Sequence, residues 1–336
     1  MFKKDTSKPV YPLTRAGQNI ASNIVVIDGF SSSGKSMVSP IFGYLDKTEQ
    51  WQVWYEYEYL SILYFVGELS TQSASALLKL QADRHLYYLM IGRNVNFRKT
   101  DHSSPYYDGL EEVYLSRIEQ TDGDHVLDRK ENKALILPLH VHYLFGSTDI
   151  LYKGFDKILK LYLITIRDPF FLIDAWFNGE WPSKLCEKSR EFHICCECDE
   201  GTVPWFAINY AKEYLSANEL EKSILTVFNY YSGVKKMYSS LSEIDLAKTL
   251  VIEHEEFAVR PEPYIDHICN ILNTSRSNRF NDIMKKLSLP RETIDYLGYE
   301  AFLIKYKNNL SYRYVAMLEK LETLYTLLKS DIKASQ

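Results

Sequence analysis

A short apolar run, Asn23 to Asp28 (NIVVID), stops at a glycine and is followed by Gly29-Phe30-Ser31-Ser32-Ser33-Gly34-Lys35-Ser36. No other feature constrains the fold as strongly. The run has the length and the β-branched content of a strand buried on both faces, as in a parallel sheet. The octapeptide matches G-x-x-x-x-G-K-[ST], a phosphate-binding loop, in the context that motif requires. Glycines at its ends let the backbone curl so that successive N–H groups of Ser31, Ser32, Ser33 and Gly34 converge on an anion. The following helix adds its positive end and Lys35 a full charge. Ser36 is placed to ligate Mg²⁺ if the ligand is a nucleoside triphosphate. Pro40 falls in the second turn of that helix, where it removes a backbone hydrogen bond, so the helix is expected to kink or to begin late.

Similar apolar runs recur at Ala134–Leu139, Leu159–Ile166 and Thr249–Glu253. Helical segments lie between them: Trp51 to Met90 is long enough for two helices, and Pro169 to Trp176 follows the third run directly. Asn218 with Glu221 forms a capping signature for a helix over about 219–240. Alternating strands and helices predict an α/β protein with a three-layer P-loop NTPase-like parallel sheet flanked by helices. After Leu272 comes a polar stretch, Asn273 to Arg279, and then a tail in which Val315, Leu318, Leu321, Tyr325 and Leu328 keep helical spacing. This divides the chain into an N-terminal extension (1–22), an α/β domain (23–275) and a helical C-terminal extension (276–336), without internal repeats.

Two downstream segments join the loop. Leu161 to Pro169 reads as a strand ending in Arg167-Asp168-Pro169, and Leu250 to Phe257 carries His254-Glu255-Glu256 before Pro261 and a run to Leu272. In order and spacing, loop and segments together resemble the P-loop sulfotransferase family, whose members move a sulfuryl group from the nucleotide PAPS to a hydroxyl or amine. The resemblance spans roughly residues 23–272 as scattered motifs. It implies that Arg167 holds the nucleotide 3′-phosphate, a task suited to a planar fork of donors. It also implies a catalytic histidine after a strand some two dozen residues ahead of that arginine. His142 stands 25 residues before Arg167 and His140 stands 27 before it, and alternate strand residues share a face. A histidine titrating near neutrality is an efficient base for a hydroxyl acceptor. The chain departs from the family pattern in three places. The loop has the kinase-like Gly34-Lys35-Ser36, Ala175 stands where a serine commonly touches the 3′-phosphate, and His254 replaces a tyrosine.

The implied activity is sulfuryl transfer from PAPS to a hydroxyl acceptor, a small molecule or a glycan. The competing reading is an ATP- and Mg²⁺-dependent small-molecule kinase, which lacks a clean acidic partner at the end of a second strand. A non-catalytic nucleotide-binding protein is the third. Gly92 to His102 crowds Arg93, Asn96, Arg98, Lys99 and Asp101 into a stretch that could grip a polar ligand. A net charge of −5 argues against broad nucleic-acid binding. No apolar run reaches membrane-spanning length and the first residues carry no leader pattern, so the expected location is the cytoplasm. The five cysteines, three of them at Cys195, Cys196 and Cys198, are accordingly expected to be reduced thiols, and their spacing, even with His193 and Cys186 added, predicts no metal site.

Overall fold

A computed structural model describes residues 11, 13–120, 123–129, 132, 134–142 and 144–335. Half of the expected N-terminal extension, residues 1–10 and 12, therefore lies outside the described residues. Five strands, β1 (Asn23–Gly29), β2 (Gln52–Val53), β3 (Ile136–His140), β4 (Leu159–Ile166) and β7 (Thr249–Glu253), form one sheet in the order β2-β3-β1-β4-β7. Every pairing in it is parallel. β5 (Cys195–Cys198) and β6 (Gly201–Pro204) make a separate antiparallel hairpin. The four long strands stand where the apolar runs predict them. β2, two residues long, is too short to leave a periodic signal.

The central strand shows why its sequence is apolar throughout. Ile24 and Val26 point into one core with Tyr162 and Ile164, while Val25 and Ile27 point into a second with Leu161 and Leu163. On the first face pack the helices Thr71–Met90, Glu219–Ser240 and Tyr312–Ser335. On the second pack Lys35–Phe42 and Glu262–Leu272. The chain is thus an α/β protein with helices on both faces of a parallel sheet. Burying each such aliphatic side chain contributes about 1.5–3 kcal/mol.

Helix ends follow local chemistry. The Glu219–Ser240 helix opens with the expected capping box: the Asn218 backbone N–H donates to Glu221 Oε2 at 3.0 Å, and the Glu221 N–H donates to Asn218 Oδ1 at 3.0 Å. Trp51 to Met90 holds two helices, Tyr55–Phe65 and Thr71–Met90. Pro40 acts otherwise than expected. The helix starts on time at Lys35, directly after the loop, and stops at Phe42, two residues past the proline. In the C-terminal region, Tyr314, Leu318, Leu321, Tyr325 and Leu328 of the last helix are buried, and Tyr325 meets Tyr231 edge to face with ring centroids 5.3 Å apart.

The cysteines correct the expectation of uniformly reduced thiols. Cys186 and Cys195 form a disulfide, their Cα atoms 6.1 Å apart, while Cys196, Cys198 and Cys269 are free. The segment between them, with its short helical turn Ser189–Glu191, folds back and brings the pair within bridging distance, an event that spacing does not encode. Among the described residues no group of three or more metal-ligating side chains converges. No helix among them is long and apolar enough to cross a membrane.

Candidate active site

All the candidate residues lie at the carboxyl ends of the strands. Register places Ile27 beside His140, Gly29 beside Thr165, and Ile166 beside Glu253. The phosphate loop, the histidine strand β3, the arginine strand β4 and the start of the His254–Val259 helix therefore share one rim, where open parallel sheets bind ligands.

The loop is held by its own side chains. Ser33 Oγ donates to Phe30 O at 2.7 Å and lies 2.6 Å from Thr165 Oγ1, so Ser33 ties the loop to β4. Gly34 has a left-handed backbone (φ +108°), and a Cβ on it would fall 2.5 Å from His254 Nδ1, so only glycine fits. Lys35 curls back: its Nζ donates to Gly29 O at 2.5 Å and Phe30 O at 2.8 Å, and its side chain is buried. Burial lowers its pKa to about 8, against the opposing charges of Asp28 and Glu58.

A cavity of about 320 Å³ opens against the loop, lined by Ser32, Gly34, Ser36 and Met37 on one side and by Arg167, Phe171, Ala175, His254, Arg291 and Asp295 on the other. Arg167 leaves the end of β4 and reaches the loop, donating from Nη1 to Ser32 O at 3.1 Å and from Nη2 to Asp295 O at 3.3 Å. Its guanidinium carbon lies 3.4 Å from the Phe171 ring centroid. Tyr231 fixes the Arg167 backbone, accepting from its N–H at 3.2 Å and donating to its carbonyl. Asp168 caps the next helix through Phe171 N–H at 2.6 Å, and Glu255 accepts from the Asp168 N–H at 3.0 Å. Burial pushes His254 down to about 3, helped by the charges of Arg167 and Arg291, so this ring is neutral at ordinary pH. Arg167 Nε, 3.9 Å from Glu255 Oε1, and His254 Nδ1 are buried without a hydrogen-bond partner. Two guanidiniums beside a glycine-lined loop could hold a phosphorylated nucleotide.

Neighbours of this chain among solved structures are sulfotransferase domains. They include the sulfotransferase domain from the curacin biosynthetic pathway, at 12% identity over 90% of this chain and 97% of that one, with a TM-score of 0.42. Sulfotransferase STF9 from Mycobacterium avium is 11% identical over 92% of this chain and 76% of that one, with a TM-score of 0.43. The sulfotransferase domain of the Synechococcus PCC 7002 olefin synthase is 11% identical over 95% and 98%, with a TM-score of 0.34. The resemblance is remote in every case. No protein-family model matches the chain, and no curated protein matches it.

On the other side of the loop the histidines come together. His140 Nε2 lies 3.2 Å from His142 Nε2, and His140 Nδ1 lies 2.6 Å from Ser39 Oγ, on the helix that follows the loop. Trp51 covers His140 with ring centroids 5.2 Å apart. Burial lowers the pKa of both rings, that of His142 to about 3 with the Lys35 charge adding to the effect. His140 is buried, while His142 is partly exposed beside the Tyr55 ring.

The predicted residues thus divide. Ser32, Gly34, Ser36 and Arg167 line the cavity; Lys35, His140 and His142 lie behind or beside the loop; Gly29, Ser31 and Ser33 shape it. None of the Gly92–His102 stretch lines this cavity, and it bonds to itself and its neighbours. Asn96 Nδ2 donates to Asp101 Oδ2 at 3.2 Å and Ser103 Oγ at 3.1 Å, and the Arg93 guanidinium lies 5.3 Å from the Tyr88 ring centroid. Arg291, Asp28 and Glu58 have no sequence signal. Asp28 is buried beneath the loop, takes a hydrogen bond from Tyr162 Oη at 2.8 Å, and is raised from the usual carboxylate range by burial.

Proposed function

We propose that this chain is a sulfotransferase-like enzyme that moves a sulfuryl group from PAPS to a hydroxyl on a small molecule or glycan. The observation that carries this reading is Arg167, which meets the loop at a cavity shared with Arg291 and His254 and whose buried Nε makes no hydrogen bond, Glu255 Oε1 lying 3.9 Å away. A ligand with a second phosphate away from its phosphoanhydride chain uses all of these donors. A nucleoside diphosphate lacking that phosphate does not.

In the proposed reaction the loop N–H groups and Ser36 hold the 5′-phosphosulfate, and Arg167 and Arg291 hold the 3′-phosphate. The bond from sulfur to the bridging oxygen breaks as the acceptor oxygen bonds to sulfur, and PAP leaves. From behind the loop, where it bonds the Gly29 and Phe30 carbonyls, Lys35 adds a positive charge to the field at the leaving oxygen. The acceptor proton passes to the histidine pair, entering at His142, the more exposed ring.

The ATP-dependent kinase remains the competing reading because of Gly34-Lys35-Ser36. The two carboxylates that act on Lys35 are already engaged, Asp28 by Tyr162 and Glu58 by His142. Isothermal titration with PAP, ADP and ATP, with and without Mg²⁺, separates the readings. PAP is expected to bind tightest and without metal, and PAPS consumption with a hydroxyl-acceptor panel is expected to be unchanged by EDTA. Strict Mg²⁺ dependence with ATP as donor would give the case to the kinase, and binding without any turnover to a non-catalytic protein.

Ala175 lines the cavity and offers no donor. Ala175→Ser is expected to tighten PAP about fivefold, the value of one added hydrogen bond at roughly 1 kcal/mol, and to leave ADP unchanged. Equal tightening of both nucleotides would place the 3′-phosphate elsewhere.

A further inference from the structure

Glu58, on the Tyr55–Phe65 helix, is 3% exposed, and its Oε1 receives two hydrogen bonds from one residue. The backbone N–H of His142 donates at 2.6 Å, and the ring Nδ1 lies at 3.0 Å. The contacts continue from His142 Nε2 to His140 Nε2 at 3.2 Å and from His140 Nδ1 to Ser39 Oγ at 2.6 Å. With Glu58 ionised and both rings neutral, one proton assignment satisfies all of these contacts. His142 Nδ1–H donates to Glu58, His140 Nε2–H donates to His142 Nε2, and the Ser39 hydroxyl donates to His140 Nδ1.

We propose that Glu58 is a positioning residue for transfer: by holding the Nδ1 proton of His142 it fixes the tautomer and orientation of that ring, making Nε2 the basic atom. The consequence for turnover rests on the transfer reading, whereas the hold on the ring does not. An imidazole whose Nδ1–H is held by a carboxylate cannot flip or change tautomer without losing that bond, and a ring in the wrong tautomer offers a proton where the reaction needs a lone pair. For the acceptor proton to reach Nε2, the His140 Nε2–H must first give up its bond to that atom, and the hold of Glu58 on Nδ1 keeps the ring in place while it does. Burial raises the Glu58 carboxyl well above its usual range, against the opposing His142 backbone N–H, and the proton arrangement above is that of the ionised carboxylate.

The test combines ¹⁵N NMR of the histidine rings in the full chain at neutral pH with PAPS turnover and PAP titration. In the unsubstituted protein His142 is expected as the Nδ1–H tautomer. Glu58→Gln preserves size, and two donors converge on its oxygen, so it is expected to keep the tautomer and most of the kcat. Glu58→Ala is expected to give mixed tautomers and a kcat lower by about ten- to a hundredfold, at or below the least that a positioned base contributes because the ring itself stays in place, with PAP affinity unchanged. A native Nε2–H tautomer would overturn the proposal, as would an alanine variant with unaltered tautomer or rate. So would a glutamine variant as slow as the alanine one, since the carboxylate charge would then be what counts. Absence of PAPS turnover in the unsubstituted protein would defeat the transfer reading alone, while the NMR experiment would still decide whether Glu58 holds His142.

Discussion

Lys35→Ala is expected to slow transfer by about 10²- to 10³-fold, the range seen when one preorganised stabiliser of transition-state charge is removed. The fold should survive. Lys35 donates to the carbonyls of Gly29 and Phe30, but Phe30 O also accepts from the N–H and the hydroxyl of Ser33, so the melting transition should move by roughly 1 kcal/mol or less. The same lysine sets a pH dependence. Its folded-state pKa is lowered to about 8, so it loses its proton as the pH rises through that value. Phosphate then binds a neutral amine or must bring a proton with it. Nucleotide affinity should therefore fall above about pH 8 in the native protein, with proton uptake visible as a buffer-dependent heat, and this component should vanish in the alanine variant. An alanine variant that turns over and binds nucleotides as the native protein does would remove the phosphate-loop assignment.

Arg167→Ala should separate two nucleotides that differ by one phosphate. PAP is expected to lose roughly ten- to a hundredfold in affinity, the value of charge-assisted hydrogen bonds at about 1.5–3 kcal/mol, while ADP loses no more than a few-fold. Some loss for both is expected because the guanidinium also supports the loop through Ser32 O and the 291–298 segment through Asp295 O. Arg167→Lys controls for that: it retains the charge but not the fork, and should fall between the native and alanine proteins for PAP. Equal losses of PAP and ADP would mean that Arg167 braces the loop and does not read the 3′-phosphate.

Features carried by local chemistry were legible in the sequence. The strand before Gly29, the loop glycines and the Asn218 capping box each follow from residues a few positions apart, and each is where the sequence places it. Contacts that join distant segments were not legible. In Tyr55-Glu56-Tyr57-Glu58-Tyr59 nothing distinguishes one glutamate from the other, yet Glu58 is buried against His142, 84 positions away, while Glu56 remains partly exposed. Arg291 reaches the cavity from the expected C-terminal extension, outside the stretch that carries the motifs. Cys186 and Cys195 meet because the segment between them folds back on itself, and Pro40 shortens its helix because the loop already fixes where that helix begins.

The clasp between Ser33 and Thr165 has a kinetic side. It fastens the loop to the same strand that ends in Arg167, so both halves of the anion cradle ride on one rigid element before any ligand arrives. A loop that must wrap its ligand makes each encounter wait for closure; a loop already clasped makes capture a matter of diffusion and charge steering. Residence time is then governed by how quickly the phosphates let go, and not by the shaping of the pocket.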